Sequence, residues 1–267
     1  MTIRLAGVDY VHANGQAALT GLTLSLDAGE CVAVIGPSGA GKTTLLRLLA
    51  TALRPGSGSL EVLGMSPWTL SGGARQRLRA RIGLIHQAPP LPARQRVVTA
   101  VLAGRLGQWS LPRSLLSLVY PLDAAGAEQA LARLDIADKL YQRCEQLSGG
   151  QLQRVGIARV LYQRPELILA DEPVSAMDPV LASHTLDVLA QEARQQGATL
   201  LASLHAVDLA LAHFDRVIGI RDGRILFDTP ASRIDEQALT ALYANRQLAE
   251  PLQPMAPMAQ ALTLPRC

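Results

Sequence analysis

Eight consecutive residues, Gly36-Pro37-Ser38-Gly39-Ala40-Gly41-Lys42-Thr43, restrict what this chain can fold into more than any other feature. They fit the spacing G-x-x-x-x-G-K-[ST] and lie between a short apolar run, Glu30 to Gly36, and a helical pattern from Lys42 to Leu53. A strand, a glycine-rich turn and a helix in that order form a phosphate cradle. The glycines let backbone N–H groups converge on phosphate oxygens, and the helix N-terminus adds partial positive charge. In such a cradle Lys42 reaches the β- and γ-phosphates of a nucleotide, the Thr43 hydroxyl ligates Mg²⁺, and Thr44 extends the binding stretch. Taken alone, the motif leaves kinases, GTPases and motor ATPases open.

A second apolar run, Leu167-Ile-Leu-Ala-Asp171-Glu172-Pro173, ends in two acids. At a strand tip beside the phosphate loop, Asp171 is placed to hold the Mg²⁺ shell, and Glu172 to orient or deprotonate an attacking water. Further strand patterns at Ile3–Val11, Gly58–Leu63, Arg81–Gln87, Ala198–Leu204 and Val217–Arg221 alternate with helical ones. That alternation predicts βαβ units and a mostly parallel sheet, with ligands at the carboxyl ends of its strands. From Ala88 to Gln146 the strand signals stop and prolines and helical periodicity take over, which predicts a helical insertion, extending to about residue 155 with the helix that continues from it. The expected organisation is one domain over 1–245, with 88–155 as its helical subdomain and 246–267 as a proline-bearing, poorly ordered tail.

Composition narrows the class further. At 49% hydrophobic and 18% charged the chain is globular, and a formal charge of +3 is too small for a nucleic-acid binder. The tightest cluster, Arg75 to Arg81, comes after a Leu-Ser-Gly-Gly string with Ser71 as helix cap, and reads as a solvated face, with contact to a partner or lipid headgroups as the alternative. Cys31, Cys144 and Cys267 show no metal or redox spacing, which fits reduced thiols in the cytosol. Neither a signal peptide nor an apolar run of about 18 residues is evident, so a pore, if there is one, belongs to another chain.

Leu147-Ser148-Gly149-Gly150-Gln151 opens another helical pattern about twenty residues before Asp171. Physically it is a second helix N-terminus with a serine hydroxyl, and so a second phosphate-binding device. The string resembles the signature of ABC ATPases. The resemblance implies a P-loop, RecA-like α/β core with an antiparallel β edge and a helical subdomain. It also implies a head-to-tail homodimer in which Ser148, Gly149, Gly150 and Gln151 of one copy close on ATP held by the other. Gln87 matches the family's glutamine that senses Mg²⁺ and water and begins the segment facing a permease. Asp178, in Ser175-Ala-Met-Asp178, matches a dimer-contact loop, and His205 matches a switch histidine on the γ-phosphate. Tyr10 stands where such proteins carry an aromatic that stacks on adenine. His86, where phenylalanine is usual, reads as a partly buried packing residue.

Three strings narrow the resemblance to phosphonate-import ATPases: Val101 to Gly107, Leu169 to Asp178, and Ser203 to Asp208 with Phe214 to Ile220. Ala100 and the proline-bearing tail depart from that pattern. A chain resembling these proteins is expected to hydrolyse ATP with Mg²⁺ at the cytoplasmic face of the inner membrane. The implied partners are integral permease subunits and, through them, an external solute-binding protein. Import of an amino acid or metal, and a soluble ABC ATPase acting on DNA or ribosomes, are the alternatives at this stage.

Overall fold

A computed structural model describes residues 2–244. Two sheets carry the fold. The smaller is antiparallel: β1 (Ile3–Val11) lies between β2 (Ala17–Leu26) and β4 (Ser57–Val62). The larger contains β3 (Cys31–Ile35), β5 (Ile82–Ile85), β6 (Leu167–Asp171), β7 (Thr199–Ser203), β8 (Arg216–Arg221) and β9 (Arg224–Pro230). Its order is β5-β6-β7-β3-β8-β9, parallel throughout except for β9, which returns antiparallel along β8. Both the parallel core and the antiparallel edge match the sequence expectation.

The parallel strands read as unbroken apolar runs because both faces are covered. Alternate residues of β3 go to opposite cores: Cys31, Ala33 and Ile35 to one, Val32 and Val34 to the other. The first core is closed by α6 (Gly149–Gln163) and α7 (Pro179–Gln196), the second by α1 (Lys42–Leu49) and the antiparallel sheet.

Between β5 and β6 the regular structure is entirely helical. It comprises α3 (Val97–Leu102), α4 (Leu111–Val119), α5 (Ala124–Ala132), short 3₁₀ turns and α6, and α6 runs on to Gln163, past the expected limit at residue 155. The remaining helices are α2 (Gly72–Ala80), α8 (Val207–His213) and α9 (Glu236–Tyr243). α2 begins at Ser71, whose hydroxyl accepts from Ala74 N, the cap expected for that string. No helix among the described residues is long and apolar enough to cross a membrane. Cys31 and Cys144 are buried free thiols; Cys267 and the tail expected to be poorly ordered lie outside the described residues.

The strand order brings the turns after β3, β5, β6 and β7 to one edge of the larger sheet. Those turns carry the phosphate loop, Gln87, the acid pair and His205.

Candidate functional site

At this edge an open cleft of about 410 Å³ is lined by Ser38, Gly39, Ala40, Gly41, Lys42, Thr43 and Thr44, and by Gln87, Glu172 and His205. Residues far apart in sequence therefore converge on one place. The loop geometry needs its glycines. Gly36, Gly39 and Gly41 have φ of 150°, 80° and 103°, and a side chain on Gly36 would run into the Ile220 carbonyl oxygen. Gly41 caps α1, so the first turn of that helix points its N–H groups into the loop. The buried Lys42 ammonium donates to the carbonyls of Gly36 at 2.6 Å and Pro37 at 3.1 Å.

The carboxylates sit at the tip of β6. Thr43 Oγ1 donates to Asp171 Oδ1 at 3.1 Å, joining the loop to the strand, and Ser203 Oγ donates to the same oxygen at 2.8 Å. Glu172 holds a left-handed backbone, φ 48°, uncommon for a residue with a side chain. Its N–H donates to Ser203 O at 3.2 Å and Oγ at 3.0 Å, which holds the turn in place. Gln87 Nε2 donates to Glu172 Oε2 at 2.7 Å, and His205 Nε2 pairs with Glu172 Oε1. Three strand ends thus meet at one carboxylate.

Other expected site residues lie elsewhere. Ser148 Oγ accepts from Gln151 N at 3.3 Å and Gln151 Oε1 accepts from Ser148 N at 2.9 Å, a reciprocal cap on α6. Asp178 caps α7 through Leu181 N at 3.0 Å. Gly149, Gly150 and these residues do not line the cleft; a side chain on Gly150 would meet Ala176 O at 2.9 Å, so the glycine lets the signature turn pack on the Asp178 loop. Tyr10 is also outside the cleft. The ladder between β1 and β2 shifts register on both sides of Tyr10, an irregularity that residue spacing does not reveal. His12 occupies the cleft wall instead, 3.4 Å from Thr44 Oγ1, with Tyr10 edge-on behind it at 5.2 Å between ring centroids.

Sequence reasoning also passed over Ser203 and Gln153. Ser203 is a polar residue closing an otherwise apolar strand opposite Asp171, a detectable signal. Gln153 is buried on α6, donates to His86 O at 3.0 Å, and left no local cue. His86, expected as a partly buried packing residue, has an accessible but partly desolvated ring that lines a second cleft of about 420 Å³ together with Arg79, Pro90, Gly104 and Arg159. Desolvation holds its pKa below the ordinary histidine value. Among the described residues no cluster of three or more His, Cys, Asp or Glu could cage a metal. Thr43 and Asp171 are hard oxygen donors, which suits Mg²⁺ shared with nucleotide phosphates.

A family model described as ABC transporter matches residues 19–175. A protein of Pseudomonas aeruginosa described as phosphonates import ATP-binding protein PhnC 1 is 70% identical over 268 residues, covering 100% of both chains. The Pseudomonas syringae pv. tomato protein with the same description is 66% identical, again over 100% of both. Among solved structures, the dimeric bacterial ABC transporter cassette MJ0796 superposes with a TM-score of 0.74 at 25% identity, covering 86% of this chain and 98% of that one. cbiO1 from Clostridium perfringens, part of the ABC transporter complex cbiONQ, gives 0.74 at 25% identity over 93% and 96%. With a phosphate loop, an acid-tipped strand and a capped signature helix on this fold, and a family model spanning more than half its length, the chain belongs to the ABC transporter family of ATP-binding proteins.

Proposed function

We propose that the chain is the ATP-hydrolysing subunit of a phosphonate importer. The observation that carries the catalytic reading is the meeting of Gln87, Glu172 and His205 beside the phosphate loop. A carboxylate held there between an amide and an imidazole can orient water for in-line attack on the γ-phosphate and accept its proton. Lys42 and the loop N–H groups neutralise charge developing on the phosphoryl oxygens. Thr43, Asp171 and Gln87 would hold Mg²⁺, which would supply further charge compensation. His205, paired with Glu172 on the cleft wall, is assigned the γ-phosphate contact, and Ser203 is a positioning residue that fixes Asp171 and the Glu172 backbone. The adenine contact goes to His12, with Tyr10 packed behind it.

Ser148, Gly149, Gly150, Gln151 and Asp178 are assigned to the ATP of a second copy. A capped helix N-terminus outside its own chain's cleft supports that reading, as do cassettes such as MJ0796 that are dimeric. Identity of 70% with a phosphonate import protein supports the cargo. Integral permease subunits, with a segment seated in the cleft beside His86, and an external binding protein complete the assembly at the cytoplasmic face of the inner membrane. The domain is read as 1–245 with a helical subdomain at 88–155.

The test uses a strain lacking this chain, complemented with wild type or Glu172→Gln and grown on a phosphonate as sole phosphorus source. Wild type should restore growth and Glu172→Gln should not, with both growing on phosphate. The purified variant should bind ATP and release phosphate at least ~100-fold more slowly. Growth without complementation would remove the cargo; normal phosphate release by the variant would remove Glu172 from its role.

A further inference from the structure

α4 is turned the opposite way from an ordinary surface helix. Its serines face the protein: Ser117 is 2% exposed and donates to Ser114 O at 2.8 Å, while Ser114 donates to Leu106 O at 3.2 Å. Its apolar side chains face outward: Leu111 is 73% exposed, Leu115 58%, Leu118 47% and Val119 88%. At 100° per residue these four fall within roughly one third of the helix circumference. Tyr120 and Leu122 extend the same exposed stretch, so seven of the eleven exposed large hydrophobic residues of the described chain lie in 111–122. Isolated exposed leucines are unremarkable on a protein surface, but a contiguous set on one helix marks a place that something covers.

The charge around α4 indicates what covers it. Residues 62–122 contain no Asp or Glu and eight arginines: Arg75, Arg77, Arg79, Arg81, Arg94, Arg96, Arg105 and Arg113. Only Arg81 pairs with a carboxylate among the described residues. Arg113 lies on α4 itself with its guanidinium 4.7 Å from the Trp109 ring centroid. α2, which bears Arg75, Arg77 and Arg79, adjoins the turn that launches α4, where Gln108 donates to Ala80 O at 3.2 Å. Tyr120 ends the helix 65% exposed, a residue type that favours a membrane–water boundary, while Trp109 at the other end packs against Tyr162.

From this arrangement we propose that α4 is an interfacial helix that lies on an anionic lipid bilayer. Leu111, Leu115, Leu118 and Val119 enter the acyl boundary, while Arg113 on the helix and the arginines of the adjoining α2 meet the phosphate headgroups. An apolar face held outward, an exposed tyrosine at its end and positive charge unbalanced by carboxylates are the features by which such helices bind. The lipid contact is separate from ATP hydrolysis and from any grip on a permease, and would orient the subunit at the membrane surface.

The test is co-sedimentation of the purified full chain with vesicles of phosphatidylglycerol and phosphatidylcholine, against vesicles of phosphatidylcholine alone. Wild type should pellet with the anionic vesicles, and the bound fraction should fall as salt rises. Leu115→Asp/Val119→Asp should lower the vesicle partition coefficient at least tenfold with unchanged ATP affinity in the same samples. If the double variant loses ATP affinity, Val119→Asp alone carries the test. Wild type that stays in the supernatant with both vesicle types would overturn the proposal, as would variants that bind like wild type. So would variants that lose only their co-purification with a permease, which would assign the face to a protein. ATP affinity is read independently, so failure here leaves the nucleotide site untouched.

Discussion

At the scale of single residues, the site depends on side chains whose neighbours come from distant parts of the chain. Glu172 spends conformational energy on a left-handed backbone, φ 48°, and the two bonds from its N–H to Ser203 are what hold it there. Asp171 and Ser203 sit directly opposite each other on neighbouring strands, so the hydroxyl serves both acids. The wall of the cleft offers a sharper test. His12 lines it and Tyr10 packs behind, so His12→Ala should weaken ATP binding about fivefold to tenfold, roughly 1 kcal/mol of stacking. Tyr10→Ala should cost less than half as much, and titration of both variants with a fluorescent ATP analogue would rank them. The reverse ranking would return the adenine contact to Tyr10.

At the scale of elements, helix caps and ion pairs lock the strand ends into register. Arg81, at the C-terminal end of α2, holds Glu166, just ahead of β6, through two bonds of 2.6 and 2.7 Å, and Glu166 N donates to Arg81 O at 2.9 Å. The guanidinium holds the Glu166 carboxyl below its usual pKa. A depressed carboxyl contributes stability above its unfolded pKa and loses it as pH falls through the lower folded value. Glu166→Gln should therefore flatten the acid limb of a stability–pH profile. Because Glu166 is 56% exposed, the loss near pH 7 should be below ~1 kcal/mol. Chemical denaturation between pH 3 and pH 7 would measure both, and an unchanged acid limb would show that the pair is solvated away. In the helical region α5 is anchored differently: Tyr162 donates to Asp123 Oδ2 at 2.8 Å while Asp123 Oδ1 caps the helix at Gly126 N. Tyr162 is 5% exposed, and burial with the Asp123 carboxylate raises its pKa. Tyr162→Phe should destabilise the fold by about 1 kcal/mol, read as a shift in the denaturation midpoint at constant slope.

At the scale of the whole molecule, the reading of the α6 N-terminus as a second phosphate site implies assembly, since only the α1 N-terminus belongs to the cleft. Ser148→Asp tests this cleanly. Aspartate caps helices as well as serine does, so the midpoint of unfolding should stay within ~0.5 kcal/mol. A carboxylate facing the γ-phosphate of a partner should nevertheless cut ATP hydrolysis at least tenfold and leave ATP binding to the monomer unchanged. Equal loss of binding would place Ser148 at its own chain's nucleotide. The motifs were legible in the sequence because each is local. A glycine loop, an acid-tipped apolar run and a serine-capped helix declare themselves over fewer than ten residues, and their order implies the parallel sheet. By itself, then, the sequence determined the strand–loop–helix cradle, the apolar strands that need cover on both faces, and the α/β class. It could not reveal the register shifts on either side of Tyr10 that set His12 in the wall, the burial of Gln153 against the His86 carbonyl, or the outward face of α4. Those depend on which surfaces meet across long separations in the chain, so the tertiary structure alone decided them.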